Sequence, residues 1–313
     1  MQRKLISFDW AIKRILRSKA NFEILEGFLS ELLKEDITIL EVLESESNQD
    51  LKNDKFNRLD IKVKNQKQEI VLIEIQYDRE MDYLQRILYA SSKAISEHMK
   101  ESDAYAKVTK IISISILYFD FGDGDDYIYK GTTNFIGLHN HTQLKLNEKQ
   151  KELYKVDNVE NIYPEYYLLK IRNFNNNSKD TLDEWINFLK NEEILENPKA
   201  KGLLKAKETL DYLKMDDRER TEYESYQKSL HDQASAYEST YVVGKIDGIK
   251  EGIEQEKINS DKKLKDEKMN SDKKLKEEKI KLAKNLLDIL DIETISLKVG
   301  LTIEEVEKLI KEK

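Results

Sequence analysis

Residues 58–77 read RLDIKVKNQKQEIVLIEIQY. Leu59, Ile61 and Val63 alternate with Asp60, Lys62 and Lys64, the period of a strand with two unlike faces. Asn65, Gln66 and Lys67 form a polar turn, and Ile70–Tyr77 is a second strand rich in β-branched residues. The two predict a β-hairpin. Glu74 and Gln76 project from one side of the second strand; Val71, Ile73, Ile75 and Tyr77 project from the other. If the hairpin turns around Asn65–Gln68, Lys64 pairs with Ile70 and Lys62 with Leu72. Asp60 then lies opposite Glu74, with Cβ atoms about 5 Å apart.

Two carboxylates so placed repel, and a divalent cation between them removes the conflict. An oxygen donor set with open positions suits Mg²⁺ or Mn²⁺, which retain water and accept phosphate oxygens. Such an ion lowers the pKa of a bound water and neutralises charge on a phosphodiester. Gln76 can hydrogen-bond that water or a phosphate oxygen but adds no positive charge. The same residues also fit a solvated face on which Asp60 and Glu74 pair with Lys62 and Lys64.

Outward from the hairpin the period changes. Residues 8–34 have helical spacing, with a break near Ser18–Asn21, and Glu44–Lys55 reads as a polar loop. Residues 79–102 return to helical spacing, and Lys110–Phe121 is a buried central strand. A loop and a short strand follow, then a further strand over Tyr163–Ile171. This order predicts an α/β (α+β) core over residues 1–175. A helical region over 176–243 and a helical tail over 244–313 complete the expected organisation. In the tail Gly244, Gly248 and Gly252 share one helix face, either as weak points in the helix or as a surface for a neighbouring helix. NSDKKLKDEKM (259–269) and NSDKKLKEEKI (270–280) are near-identical units whose period favours a straight or slightly right-handed coiled coil, or a charged spacer. Two short apolar-periodic stretches around Gly300 predict a terminal helical hairpin.

The net charge of −8 excludes affinity for DNA through gross charge, so any such contact needs a local basic strip. Residues 241–313 hold 17 Lys and 17 acidic residues, so the excess negative charge lies upstream. The absence of Cys excludes disulfides, thiolate zinc sites and a Cys nucleophile, and suits a cytoplasmic protein. No apolar run is long enough to span a membrane, and the first residues lack a secretory signal pattern.

Asp60, a gap of 13 residues, then Glu74-Ile75-Gln76 at the end of an apolar strand resembles the PD-(D/E)XK restriction-endonuclease-like core, with Gln at the usual Lys position. With Phe8-Asp9, Ile12-Lys13, Arg86 and Tyr89, and a tail ending near Leu301-Thr302, the chain resembles the Rpn family of recombination-promoting nucleases and putative transposases. The resemblance implies a metal-dependent DNA endonuclease tied to recombination, transposition or defence against foreign DNA. It implies Mg²⁺, with Mn²⁺ or Ca²⁺ as alternatives, held by Asp60, Glu74 and the Ile75 carbonyl. Gln76 then occupies the lysine position, Asp9 or Glu23 supplies a further acid, and Arg86 meets a phosphate or pairs with Asp82. Leu59 stands where the family has Pro, a tolerable change because Asp60 supplies the ligand.

Other strings carry less. His139-Asn140-His141 reads as a polar loop, and Asp120-Phe121-Gly122 lacks the glycine-rich and catalytic loops of a kinase. Asp123, Asp125 and Asp126 lack the spacing of a calcium loop. Two further readings compete with the endonuclease. One is a catalytically weak, nuclease-fold DNA-binding protein acting through its tail; the other is an oligomerisation scaffold. The tail is expected to form a homo-oligomer, a dimer in the simplest case.

Overall fold

A computed structural model describes residues 5–43, 59–100 and 102–311. The expected polar loop over Glu44–Lys55 lies outside the described residues. The chain divides into two compact units, Met1–Ser235 and Ala236–Lys313.

A six-stranded sheet organises the first unit. In order of appearance its strands are β1 (Ile39–Leu43), β2 (Ile61–Asn65), β3 (Ile70–Gln76), β4 (Ile111–Leu117), β5 (Ile128–Gly131) and β6 (Glu165–Lys170). Spatially they run β1-β2-β3-β4-β6-β5. The β2–β3 hairpin has the expected register, Lys64 opposite Ile70 and Lys62 opposite Leu72. β3 and β4 run parallel, joined through α3 (Tyr83–Glu97), because parallel neighbours need a crossover. β4 pairs in parallel with β6, so β3 and β4 are central strands and are buried on both faces. β1 was not anticipated: Ile39–Leu43 is short, and its burial alternates poorly.

One sheet face packs Val71, Ile73, Ile112 and Ile114 against α1 (Phe8–Arg14), α2 (Phe22–Leu33) and α5 (Thr181–Asn191). Phe8, Phe28, Trp185 and Phe188 meet edge to face there at 5.5–6.2 Å, the preferred geometry of aromatic quadrupoles. α3 covers the other face, with Ala94 against Ile70, Leu72 and Ile111. Helices beyond residue 175 therefore complete the same core. One close approach depends on glycine: a Cβ on Gly27 of α2 would fall 2.3 Å from the Lys201 carbonyl oxygen, just before α6 (Leu203–Thr209).

α4 (Glu148–Tyr154) lies between β5 and β6, and α7 (Asp217–Leu286) begins in the first unit. In the second unit the end of α7 contributes Ala283 to a small core with Ile295 and Val299 of α8 (Ile292–Val299) and Val306 and Leu309 of α9 (Ile303–Lys311). Gly300, at φ 66°, closes α8 in the left-handed region. Thr302 and Glu305 cap α9 reciprocally, at 3.0 and 3.2 Å. Residues 236–278 are exposed throughout, so the 11-residue units are exposed except for Lys279 and Ile280 at the end of the second, where Ile280 packs against the small core. Space is open at Gly244, Gly248 and Gly252, so among the described residues no helix packs on that face. Among the described residues, no helix is long and apolar enough to cross a membrane.

Candidate active site

β2 begins one residue after Asp60, so Asp60 stands just outside the ladder. Its Oδ2 accepts the N–H of Ile75 at 2.6 Å, continuing the hairpin through a side chain where the backbone pairing stops. A strand residue's N–H and C=O leave on the same side, so the Ile75 carbonyl is also directed toward Asp60. The acid from β2 is thus anchored on the amide between Glu74 and Gln76.

Glu74 projects to the α3 face and is 5% exposed. Arg86, one turn into α3, donates to its carboxylate, and the other arm of the same guanidinium reaches Glu80 at 2.5 Å. Gln76 donates to Glu80 at 3.2 Å and to the Asp78 carbonyl at 3.3 Å. Burial pushes the Glu74 carboxyl up to about 7; Arg86 opposes the shift, while the charges of Asp60 and Glu80 add to it. The Tyr83 hydroxyl is buried beside Glu74 and is raised well above the tyrosine range, chiefly by burial.

Asp9 approaches from the other side. It lies in the first turn of α1 and is fully buried. Lys13, one turn on, places its ammonium 2.7 Å from Asp9 Oδ1 and 3.5 Å from Asp60 Oδ1. Oδ2 of Asp9 has no hydrogen-bond partner among the described residues. Burial raises the Asp9 carboxyl to about 6 against the pull of Lys13, with Asp60 adding to the rise. Burial acts to lower the Lys13 ammonium, but Asp60 and Asp9 outweigh it and hold the pKa above the ordinary lysine range. Arg17 donates to the Asp60 carbonyl at 2.7 Å.

Asp9, Asp60, Glu74, Gln76 and Arg86 therefore meet around the end of the β2–β3 hairpin. Glu23 does not join them: it is exposed in the first turn of α2, and no hydrogen bond or ion pair among the described residues links it to the group. The expected partners of the acids also change. Lys62 pairs with Glu97 at 3.1 Å and Lys64 with Glu41 at 2.8 Å, leaving the acids to Lys13 and Arg86. Arg86 takes Glu74 and Glu80, not the carboxylate of Asp82. Lys13 carried no role in the sequence reading; its signal was the Asp9–Lys13 spacing of four on one helix. Glu80 carried none either.

A family model described as PD-(D/E)XK nuclease family transposase matches residues 6–240. The chain belongs to that family. No curated protein and no solved structure matches it. The mixed sheet flanked by helices is the α/β core of a PD-(D/E)XK nuclease, and membership gives the chain a nuclease- or transposition-associated role with DNA as the substrate class.

Members of the PD-(D/E)XK class typically use divalent metals, and the donor set can be tested against that. Among the described residues, no group of three or more His, Cys, Asp or Glu is gathered to hold a metal. Two carboxylates and a strand carbonyl remain, with Asp9 behind them. That set fits a hard cation that keeps waters and completes its shell with phosphate oxygens, and it does not fit a closed structural site. His139 and His141 lie exposed in a turn away from these acids, and Asp126 caps the Tyr127 and Ile128 amides ahead of β5.

Proposed function

We propose that this PD-(D/E)XK family protein is a divalent-metal-dependent DNA endonuclease acting in recombination, transposition or defence against foreign DNA. The observation that chiefly supports this is the anchoring of Asp60 on the Ile75 amide, which fastens one acid to the strand carrying the other. Asp60, Glu74 and the Ile75 carbonyl would hold Mg²⁺, with Mn²⁺ or Ca²⁺ as alternatives. When bound, the ion supplies a more acidic water and neutralises phosphodiester charge.

The chain's own residues do the rest. Gln76 orients water or a phosphate oxygen through its amide. It cannot stabilise developing negative charge as an ammonium does. Lys13 brings that charge from α1, next to Asp60. The Arg86 guanidinium, which pairs with Glu74, presents a fork suited to a phosphate.

Purified protein incubated with supercoiled plasmid and Mg²⁺, beside Asp60→Ala and Glu74→Ala, tests this reading. Wild type should nick, and both variants should be inactive. Equal nicking by all three would assign the activity to a contaminant.

Gln76 in place of a lysine favours a second reading, a catalytically weak DNA-binding protein acting through its tail. Its signature is retention of DNA without cleavage. In either case we infer a homodimer through α7. Val242, Ile246, Ile249 and Ile253 are 46–64% exposed and spaced 4, 3 and 4 apart, the seam of a two-helix coil.

A further inference from the structure

Within the first unit, the opening turns of α7 rest on α1. Tyr223 is buried, and its hydroxyl accepts the Ser7 N–H at 3.1 Å. Glu222 lies 3.6 Å from Arg14, whose guanidinium stacks over Trp10 at 5.2 Å. Trp10 in turn packs on Tyr223 at 5.6 Å and on Tyr226 at 5.2 Å. Three residues along from Trp10, the Lys13 ammonium lies over the Tyr226 ring, 5.6 Å from its centroid.

Lys13 is thus held from two directions. Asp9 and Asp60 attract its charge, and the negative face of an aromatic ring lies beneath it. A lysine has a flexible four-carbon stem and many rotamers, so a bounding surface decides where its charge is found. The Tyr226 hydroxyl is buried with no hydrogen-bond partner among the described residues. No hydrogen bond among the described residues thus fixes the phenol. Its contribution is the ring.

We infer that Tyr226 is a positioning residue that holds the Lys13 ammonium against Asp60, so that the placement of this ammonium depends on the seating of α7 upon α1. The catalytic part of this inference rests on the nuclease reading above; the seating of Lys13 does not. A change that lifts α7 from α1 would release Lys13 without touching Asp60 or Glu74.

Full-length wild type, Tyr226→Phe and Tyr226→Leu are compared in two ways. Lysine carrying ¹³C at Cε reports ring proximity by NMR, with the Lys13 signal assigned through Lys13→Arg. The signal should be displaced upfield in wild type and Phe, and should return to the ordinary lysine position in Leu. In plasmid nicking, Leu should lower kcat about tenfold with KM little changed, and Phe should retain wild-type kcat. Wild-type kcat in Leu, in a preparation where Asp60→Ala abolishes nicking, overturns the catalytic part. An undisplaced Lys13 signal in wild type overturns the seating itself, even if Leu fails to fold. If wild type does not nick at all, the nuclease reading fails, while the NMR comparison still decides whether Tyr226 seats Lys13.

Discussion

Asp60 and Ile75 are joined by a 2.6 Å bond from the Ile75 amide to the Asp60 carboxylate, one residue beyond the last backbone pair of the β2–β3 hairpin. A side chain thereby does the work of a ladder bond, and the charged acceptor makes it stronger than a neutral one.

Replacing Asp60 separates structure from chemistry. Asp60→Asn keeps an oxygen acceptor for the Ile75 amide, so it should unfold in urea within about 1 kcal/mol of wild type while losing nicking by about 100-fold or more. Asp60→Ala should lose activity equally and cost about 2 kcal/mol, because the amide and Lys13 both lose their partner. Equal stability of Asn and Ala would remove the structural part of the bond.

The Arg86 guanidinium pairs with the buried Glu74 carboxylate and opposes the rise in its pKa. Arg86→Met should leave Glu74 buried without compensation and cost about 2 kcal/mol at pH 8, below the 3–5 kcal/mol of a fully buried pair because the guanidinium is partly exposed. Adding Glu74→Gln to Arg86→Met should recover much of that loss. A double-mutant cycle in urea measures the coupling, and additive costs would mean the two side chains do not interact.

Glu74 also sets a pH dependence. Its carboxyl rises from an ordinary 4.5 to about 7 in the fold, so the folded chain binds the proton more tightly than the unfolded chain. That contribution is full below about pH 4.5 and is lost as pH climbs through about 7. Asp9, raised from 3.8 to about 6, acts in the same sense over a lower window. Metal-free Glu74→Gln should therefore gain on wild type between pH 4.5 and 7.5, by up to about 3 kcal/mol. Urea titrations across that range read the difference, and parallel curves would sink the assignment.

In the tail, Ile246→Lys with Ile249→Lys places charge in the proposed seam. Sedimentation should show a dimeric full-length protein become monomeric, with helical content little changed because both positions are exposed. A wild type that is monomeric at every concentration ends the dimer proposal.

The hairpin was legible from residues 58–77 because period-2 alternation and a polar turn are local signals, and they also set the register that brings Asp60 to the Glu74 strand. The central strand β4 was legible from a nearly continuous apolar run, and the terminal helical pair from two short apolar-periodic stretches around Gly300. β1 was not, since a short strand owes its place to its neighbour more than to its own pattern.

Asp60 and Glu74 came from local order along the chain, whereas Asp9 entered through the family resemblance and Glu80 was not read. Which cation answers each acid did not come from that order, because Lys13 and Arg86 reach the hairpin from helices whose approach is set by packing. Lys62 and Lys64 stand close to Asp60 in sequence, yet they pair with Glu97 and Glu41. Charge pairing falls off within a few ångströms, whereas chain proximity constrains a long side chain only loosely. Asp60 and Glu74 were therefore readable in one dimension and their electrostatic partners in three.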